Sequence, residues 1–499
     1  VTIPATVTEI GESAFSQCSS LETIKIPDSV TIIGKRAFWK CTSLSDVNLS
    51  KSLTKLGDAV FEDCTALKTV EIPKALISAP ETAAFKGSGL ETVTFEEGAT
   101  KVIDQLLKDC GALKNVTIPE TVTEIGNNAF ARCTGLEGIT LPDSISKIGS
   151  SAFYNCTSLS SVNLPKSLLY IGGSGFGNCS ALKVIEIPKV LKDVNGGAFG
   201  GSGLETVTFE EGTIKVIDSL LRGCAQLKSV TIPDTVTAIG VSAFDRCSAL
   251  TAVEIPASVT TIGDQAFAGC AGLTGIVISD SVTGIGMRAF ADCTSLGQLM
   301  LSMRVAQIGN NAFQNCTSLT QVEIPKSLVN ASGIFTGCSS LKKITFEEGM
   351  EIIREGLLRD CNGLEEIIIP DTVTEIGSYA FSGCSSLNKI DIPDSVVTIG
   401  SYAMNCCSSL AAVEIPGSVT TIGDYAFSGC IALTSAELAD GVKTLGENAF
   451  SNCMALPSFV MPDSVTEIGT RVFSECGKLT TVTLSRNLEI INGATFRRS

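Results

Sequence analysis

Twenty cysteines, three Glu-Glu-Gly strings and no histidine bound the chemistry open to this 499-residue chain. Without an imidazole, neither a Ser-His-Asp nor a Cys-His nucleophile can be assembled, because each needs a base that accepts a proton near neutral pH. The pairs Glu96-Glu97, Glu210-Glu211 and Glu347-Glu348 could serve acid–base chemistry or bind Ca²⁺. Consecutive glutamates before a glycine also make a solvated turn, which is the reading favoured here. Zinc sites combine closely spaced cysteine pairs or cysteine with histidine. Here Cys406-Cys407 is the one close pair, so no metal and no cofactor is expected. The glycines recur at a fixed turn rather than in a phosphate-binding G-x-G-x-x-G. An enzyme is not expected.

Nineteen of the 20 cysteines share one position, three residues after a recurring apolar marker. The marker runs Phe15, Phe38, Phe61, Phe130, Phe153, Phe176, Phe244, Phe267, Phe290, Phe313, Phe381, Phe427, Phe450, Phe473 and Phe496, in steps of 23 that widen to 46, 68 or 69 where other residues take the place. Leu107, Leu221, Leu358 and Met404 fill gaps, and Phe85, Phe199 and Phe335 each stand 22 residues from one neighbouring marker, a residue short of the period, giving 22 copies. A unit of this length cannot bury its apolar face alone, so the copies must stack as coils of a solenoid. The chain therefore reads as one solenoid domain over residues 1–499, with about 22 coils. Neither end carries a polar capping coil, and a segment of a longer chain is expected.

The coil around Phe381 shows how the elements would be made. Ile390 and Ile392 alternate with Asp391, the pattern of a half-buried strand. Pro393 ends that strand because it has no N–H to donate. Val396 to Ile399 reads as a second short strand. Gly377 fits a turn that needs positive φ, and Ala380-Phe381-x-x-Cys384 suits a short helical or 3₁₀ turn that plugs Phe into the core. Stacked cysteines would sit about 5 Å apart with parallel Cβ vectors, against the roughly 3.8 Å a disulfide prefers. They read instead as a ladder of small buried thiols.

A net charge of −16, with Lys and Arg scattered singly or in twos, opposes the clustered cations that nucleic acid requires. No apolar run approaches the roughly 20 residues of a membrane span, so direct insertion is not expected. The pattern I-G-x-x-A-F-x-x-C-x-x-L-x-x-V-x-I-P-x-S-V, seen from Ile376 to Val396 with Ile390 in place of the first Val, resembles the BspA-type leucine-rich repeat over essentially the whole chain. The resemblance implies a right-handed leucine-rich-repeat coil stack. It also implies a non-catalytic, cell-surface or secreted module, an adhesin binding host or extracellular-matrix proteins. A structural spacer displaying other domains and an intracellular protein-interaction scaffold are the alternatives.

A partner would meet the residue that points outward between the two core aliphatics of each first strand. That stripe includes Glu71, Glu186, Glu254, Glu323, Asp391, Glu414 and Glu437, among threonines and a few apolar residues. It carries no aromatic or Arg, the residues that dominate interface hot spots, and its threonines and valines equally suit a plain sheet surface. If it binds, a basic partner fits its sign. Tyr379, Tyr402 and Tyr425, each 23 apart, should stack; they could grip an aromatic or sugar ring or simply brace adjacent coils. Trp39 and Tyr154 follow a core Phe in an exposed turn. The string GSGLETVTFEEG occurs identically at 87–98 and 201–212, and its end recurs at Thr345–Gly349. There the Pro turn is replaced, which could open a docking notch or simply record duplication.

Overall fold

A computed structural model describes residues 1–78, 81, 83–328 and 331–499. The chain divides into two units, Val1–Val236 with Ser242–Leu250, and Thr237–Val241 with Thr251–Ser499. Both are built from parallel strands stacked one coil apart. In the first unit, Thr23–Lys25 pairs with Asp46–Asn48 so that Ile24 faces Val47, a register of 23 residues. The second strands form a five-stranded parallel sheet from Lys101–Val102 to Asp193–Val194. In the second unit the equivalent sheet has six strands, from Ile352–Ile353 to Glu467–Ile468. Both expected strands of the Phe381 coil are present, as Lys389–Asp391 and Thr398–Ile399. The turn between them is closed by the Val396 N–H donating to the Pro393 carbonyl at 3.0 Å.

The segment around each marker is not the helical turn expected from the sequence: no α- or 3₁₀-helix occurs among the described residues. The reason is two left-handed residues four apart in nearly every coil. Arg36 and Lys40 have φ of 53° and 57°, and Tyr402 and Cys406 both have 58°. Helical φ is negative throughout, so the ladder cannot propagate. The N–H groups alternate instead. Those of Tyr379, Phe381 and Gly383 donate to Ser401, Ala403 and Asn405 of the next coil. Those of Ala380, Ser382 and Cys384 close four-residue turns onto the carbonyls of Gly377, Tyr379 and Phe381. Every turn is thus a rung in a third ladder between coils.

The role expected of the recurring glycine is also corrected. Gly377 and its equivalents do not have positive φ; the left-handed residue lies two positions later, at Tyr379. Glycine is needed because the backbones touch. A Cβ on Gly377 would lie 2.7 Å from the Ile353 carbonyl oxygen and 2.8 Å from the Glu355 nitrogen.

The core is a column of identical contacts. Phe38 and Phe61 stack at 5.2 Å between ring centroids with planes 3° apart, and Phe290 and Phe313 at 5.2 Å and 1°. These separations suit offset stacking of rings held one coil apart. Each buried thiol does more than fill space. Cys64 Sγ donates to the Phe38 carbonyl at 3.1 Å, and Cys407 Sγ to Phe381 at 3.3 Å. Burial pushes the thiols of Cys64 and Cys430 up to about 12, leaving them protonated and able to donate. Ser499, three residues after Phe496, takes the cysteine position and its hydroxyl makes the same bond to the Phe473 carbonyl.

Candidate binding surface

The first-strand face is where outward side chains gather with no other element packed over them. Glu71, Glu186, Glu323, Asp391, Glu414 and Glu437 lie there and are exposed. Glu254 is exposed too, in a stretch without regular strand structure. Glu414 and Glu437 are direct register partners, and Asp391 holds the same position one coil earlier. Their alignment follows from the strand pairing, since a 23-residue register superimposes equivalent positions. Lys389 caps this acidic run, its Nζ 2.9 Å from Asp391.

Depressions in the same face bring some sequence candidates together. Glu71 and Glu96 line a hollow of about 390 Å³ with Lys25, Asp28, Asn48 and Lys51. A wider one of about 750 Å³ runs over Asn115, Thr117, Thr140 and Asn163. In the second unit, Glu323 shares a hollow of about 280 Å³ with Met300 and Lys343. The face is also less polar than its acidic stripe suggests. Val277 and Met300 are neighbours in register and 57% and 66% exposed, and Ile368 is 81% exposed. Read singly, these residues look like sheet formers; only the side-by-side exposure of Val277 and Met300 marks an apolar patch.

The Glu-Glu pairs divide into two roles. Glu96 accepts the Lys74 backbone N–H at 3.0 Å, and Glu210 and Glu347 accept those of Lys189 and Lys326 at the same distance. The lysine ammonium groups stand 3.7, 3.4 and 3.2 Å from the same carboxylates. Those backbone N–H bonds hold Glu210 and Glu347 below the usual carboxylate range. That is the opposite of what a general acid needs. Glu97, Glu211 and Glu348 remain exposed, each a lone carboxylate. Among the described residues no three His, Cys, Asp or Glu side chains are gathered to hold a metal ion.

The rest of the repeated string is structural as well. Gly87 and Gly201 have φ of 65° and 72°, and a Cβ on Gly89 or Gly203 would lie 2.0 Å from a carbonyl oxygen of the preceding coil. Glu91 bridges Lys68 and Lys114 at 3.0 and 3.2 Å; Glu205 bridges Lys183 and Lys228 at 3.2 and 2.7 Å. The altered coil is stitched to both neighbours.

Tyr379, Tyr402 and Tyr425 stack with centroids 4.6 Å apart and planes 4° apart. Desolvation between its neighbours raises the Tyr402 phenol above its ordinary value. The Arg359 guanidinium lies 5.3 Å from the centre of the Tyr379 ring. The inner ring faces are therefore taken by one another and one outer face by a cation. This is the geometry of a brace between coils, and a ligand ring would meet mainly edges. Tyr154, by contrast, is half-buried, its hydroxyl accepting from Asn178 at 3.0 Å. No helix of the described residues is long and apolar enough to cross a membrane.

Comparison with known proteins agrees with this architecture. The model of the BspA type leucine rich repeat region matches residues 1–113, 100–225, 215–333, 331–430 and 398–499. A leucine-rich repeat protein from Bacteroides ovatus is similar in structure, with 31% identity and a TM-score of 0.56, over 68% of this chain and 88% of that one. A leucine rich cell surface protein from Faecalibacterium prausnitzii is 25% identical over 88% of this chain and 86% of its own, with a TM-score of 0.31. Curated protein sequences offer no match.

Proposed function

This chain is a member of the BspA-type leucine-rich-repeat family, and on that premise we propose that it is a surface-displayed or secreted module that adheres to host or extracellular-matrix proteins. Leucine-rich-repeat proteins are typically non-catalytic and bind other proteins, which supports an interaction role. The observation that carries the reading is the uncovered first-strand face. Its hollows and its exposed apolar residues Val277, Met300 and Ile368 offer contact area that the fold itself does not use. A surface of mixed apolar and acidic character fits a protein partner better than a small metabolite, which needs a concave, largely apolar pocket.

The test is binding of the purified chain to a panel of matrix and host cell-surface proteins by interferometry. Saturable binding to at least one is expected, weakened by Met300→Arg with Ile368→Arg. Both side chains are exposed, so the double variant should fold. No saturable binding across the panel would overturn adhesion.

A further inference from the structure

Trp39 is the chain's sole tryptophan and stands in a cationic clamp. The Lys40 ammonium lies 4.6 Å from its ring centre and the Arg36 guanidinium 5.5 Å. The arrangement is set by the backbone. Arg36 and Lys40 are the two left-handed residues of this coil, and their N–H groups donate to Asp58 and Glu62 of the next coil at 2.8 and 2.9 Å. The Trp39 N–H closes the turn on the Arg36 carbonyl at 3.1 Å, so the turn brings both cation-bearing residues beside one ring. Among the described residues neither has a carboxylate at ion-pair distance, while Glu62 beside them is taken by Lys86 at 3.0 Å. Trp and Arg are the residues most enriched in interface hot spots.

We infer that Trp39, Arg36 and Lys40 form a docking point for a short acidic segment of a protein partner, one or two carboxylates beside an apolar or aromatic side chain. The width of the cluster decides the class. At the equivalent positions the preceding coil offers Ser13 and Gln17, and the next offers Ala59 and Asp63. No cation continues the pair at these positions in either neighbouring coil, and Asp63 follows Lys40 in the next, so a long polyanion, which needs a continuous cationic track, finds none here. Arg and Lys donate to carboxylates, and the tryptophan ring supplies apolar area next to them. The site rests on the interaction-module reading only in taking a protein as the partner.

A single tryptophan makes the test direct, since red-edge excitation reports this site alone. The intact chain is titrated with a short Glu–Phe copeptide, a Lys–Phe copeptide and heparin. A saturable change in Trp39 emission with the Glu–Phe peptide is expected, weakened by salt, with none from the Lys–Phe peptide. Arg36→Asn with Lys40→Asn should weaken it at least about tenfold. Asn suits these backbone positions, as Asn128 and Asn155 hold the same two left-handed sites in other coils. An equal response in the variant, no response, or a stronger response to heparin would each overturn the site. A matrix protein that binds without disturbing Trp39 would also overturn it, yet leave the adhesion module standing.

Discussion

At Gly149 an added Cβ would lie 2.6 Å from the backbone nitrogen of Asn127, whereas Ser151, two residues on, is held at a φ of 55°. These are different constraints, and single substitutions separate them. Gly149→Ala must push one coil backbone off another, which cannot be relieved by a rotamer change. It should destabilise by about 1–3 kcal/mol, the usual range for overpacking. Ser151→Gly removes a Cβ from a left-handed residue and should be neutral or stabilising in urea unfolding, because glycine adopts that conformation without penalty. If the glycine were there for positive φ, the alanine variant would suffer strain and the serine site would be indifferent to glycine. The sequence locates this glycine, since it recurs four residues before the marker, but not its reason. Close approach is a relation between residues 22 or 23 apart, and local turn preference does not contain it. The left-handed positions were hidden for a related reason. They are occupied by Ser, Arg, Gln, Tyr and Asn alike, because hydrogen bonds to the next coil impose the conformation.

Among elements, the strand pairing was the most legible feature, because alternation in each coil and a fixed period determine register together. Ile390 and Ile392 are apolar at every equivalent level, so the strand could face only one way. The contents of the Glu-Glu-Gly turns were less so. Nothing local marks Glu210 as the acceptor of an N–H on Lys189, 21 residues before it; only the stacked coil brings them together. This bond has a pH signature. The folded-state carboxyls of Glu210 and Glu347 titrate below their unfolded values. Their contribution is therefore fully present above the ordinary carboxylate range and is lost as pH falls through the lowered folded-state values. The urea midpoint should drop on acidification below about pH 4.5, near the free glutamate value. Glu210→Ala with Glu347→Ala should lower the midpoint at neutral pH and make the acid decline shallower. A decline of unchanged steepness in that variant would show that other carboxylates govern it.

For the molecule as a whole, the deciding quantity is where its charge sits. A net charge of −16 keeps copies apart and favours cationic partners. Part of it is arranged where a partner can reach, in the aligned Asp391, Glu414 and Glu437. Such a row can steer encounter without adding much final affinity, because exposed charges remain solvated in the complex rim. The expectation is therefore kinetic. For a basic partner found in the binding panel, Glu414→Lys with Glu437→Lys should slow association by about tenfold at low salt and change dissociation little. Raising ionic strength should shrink the difference, as screening shortens to about 8 Å at physiological salt. Thermal unfolding should move little, because both side chains are exposed and neither forms an ion pair among the described residues. Equal association rates for the parent and the variant at low salt would remove the strand stripe from the encounter. Contact would then be assigned to the apolar patch at Val277 and Met300, which does not depend on those carboxylates.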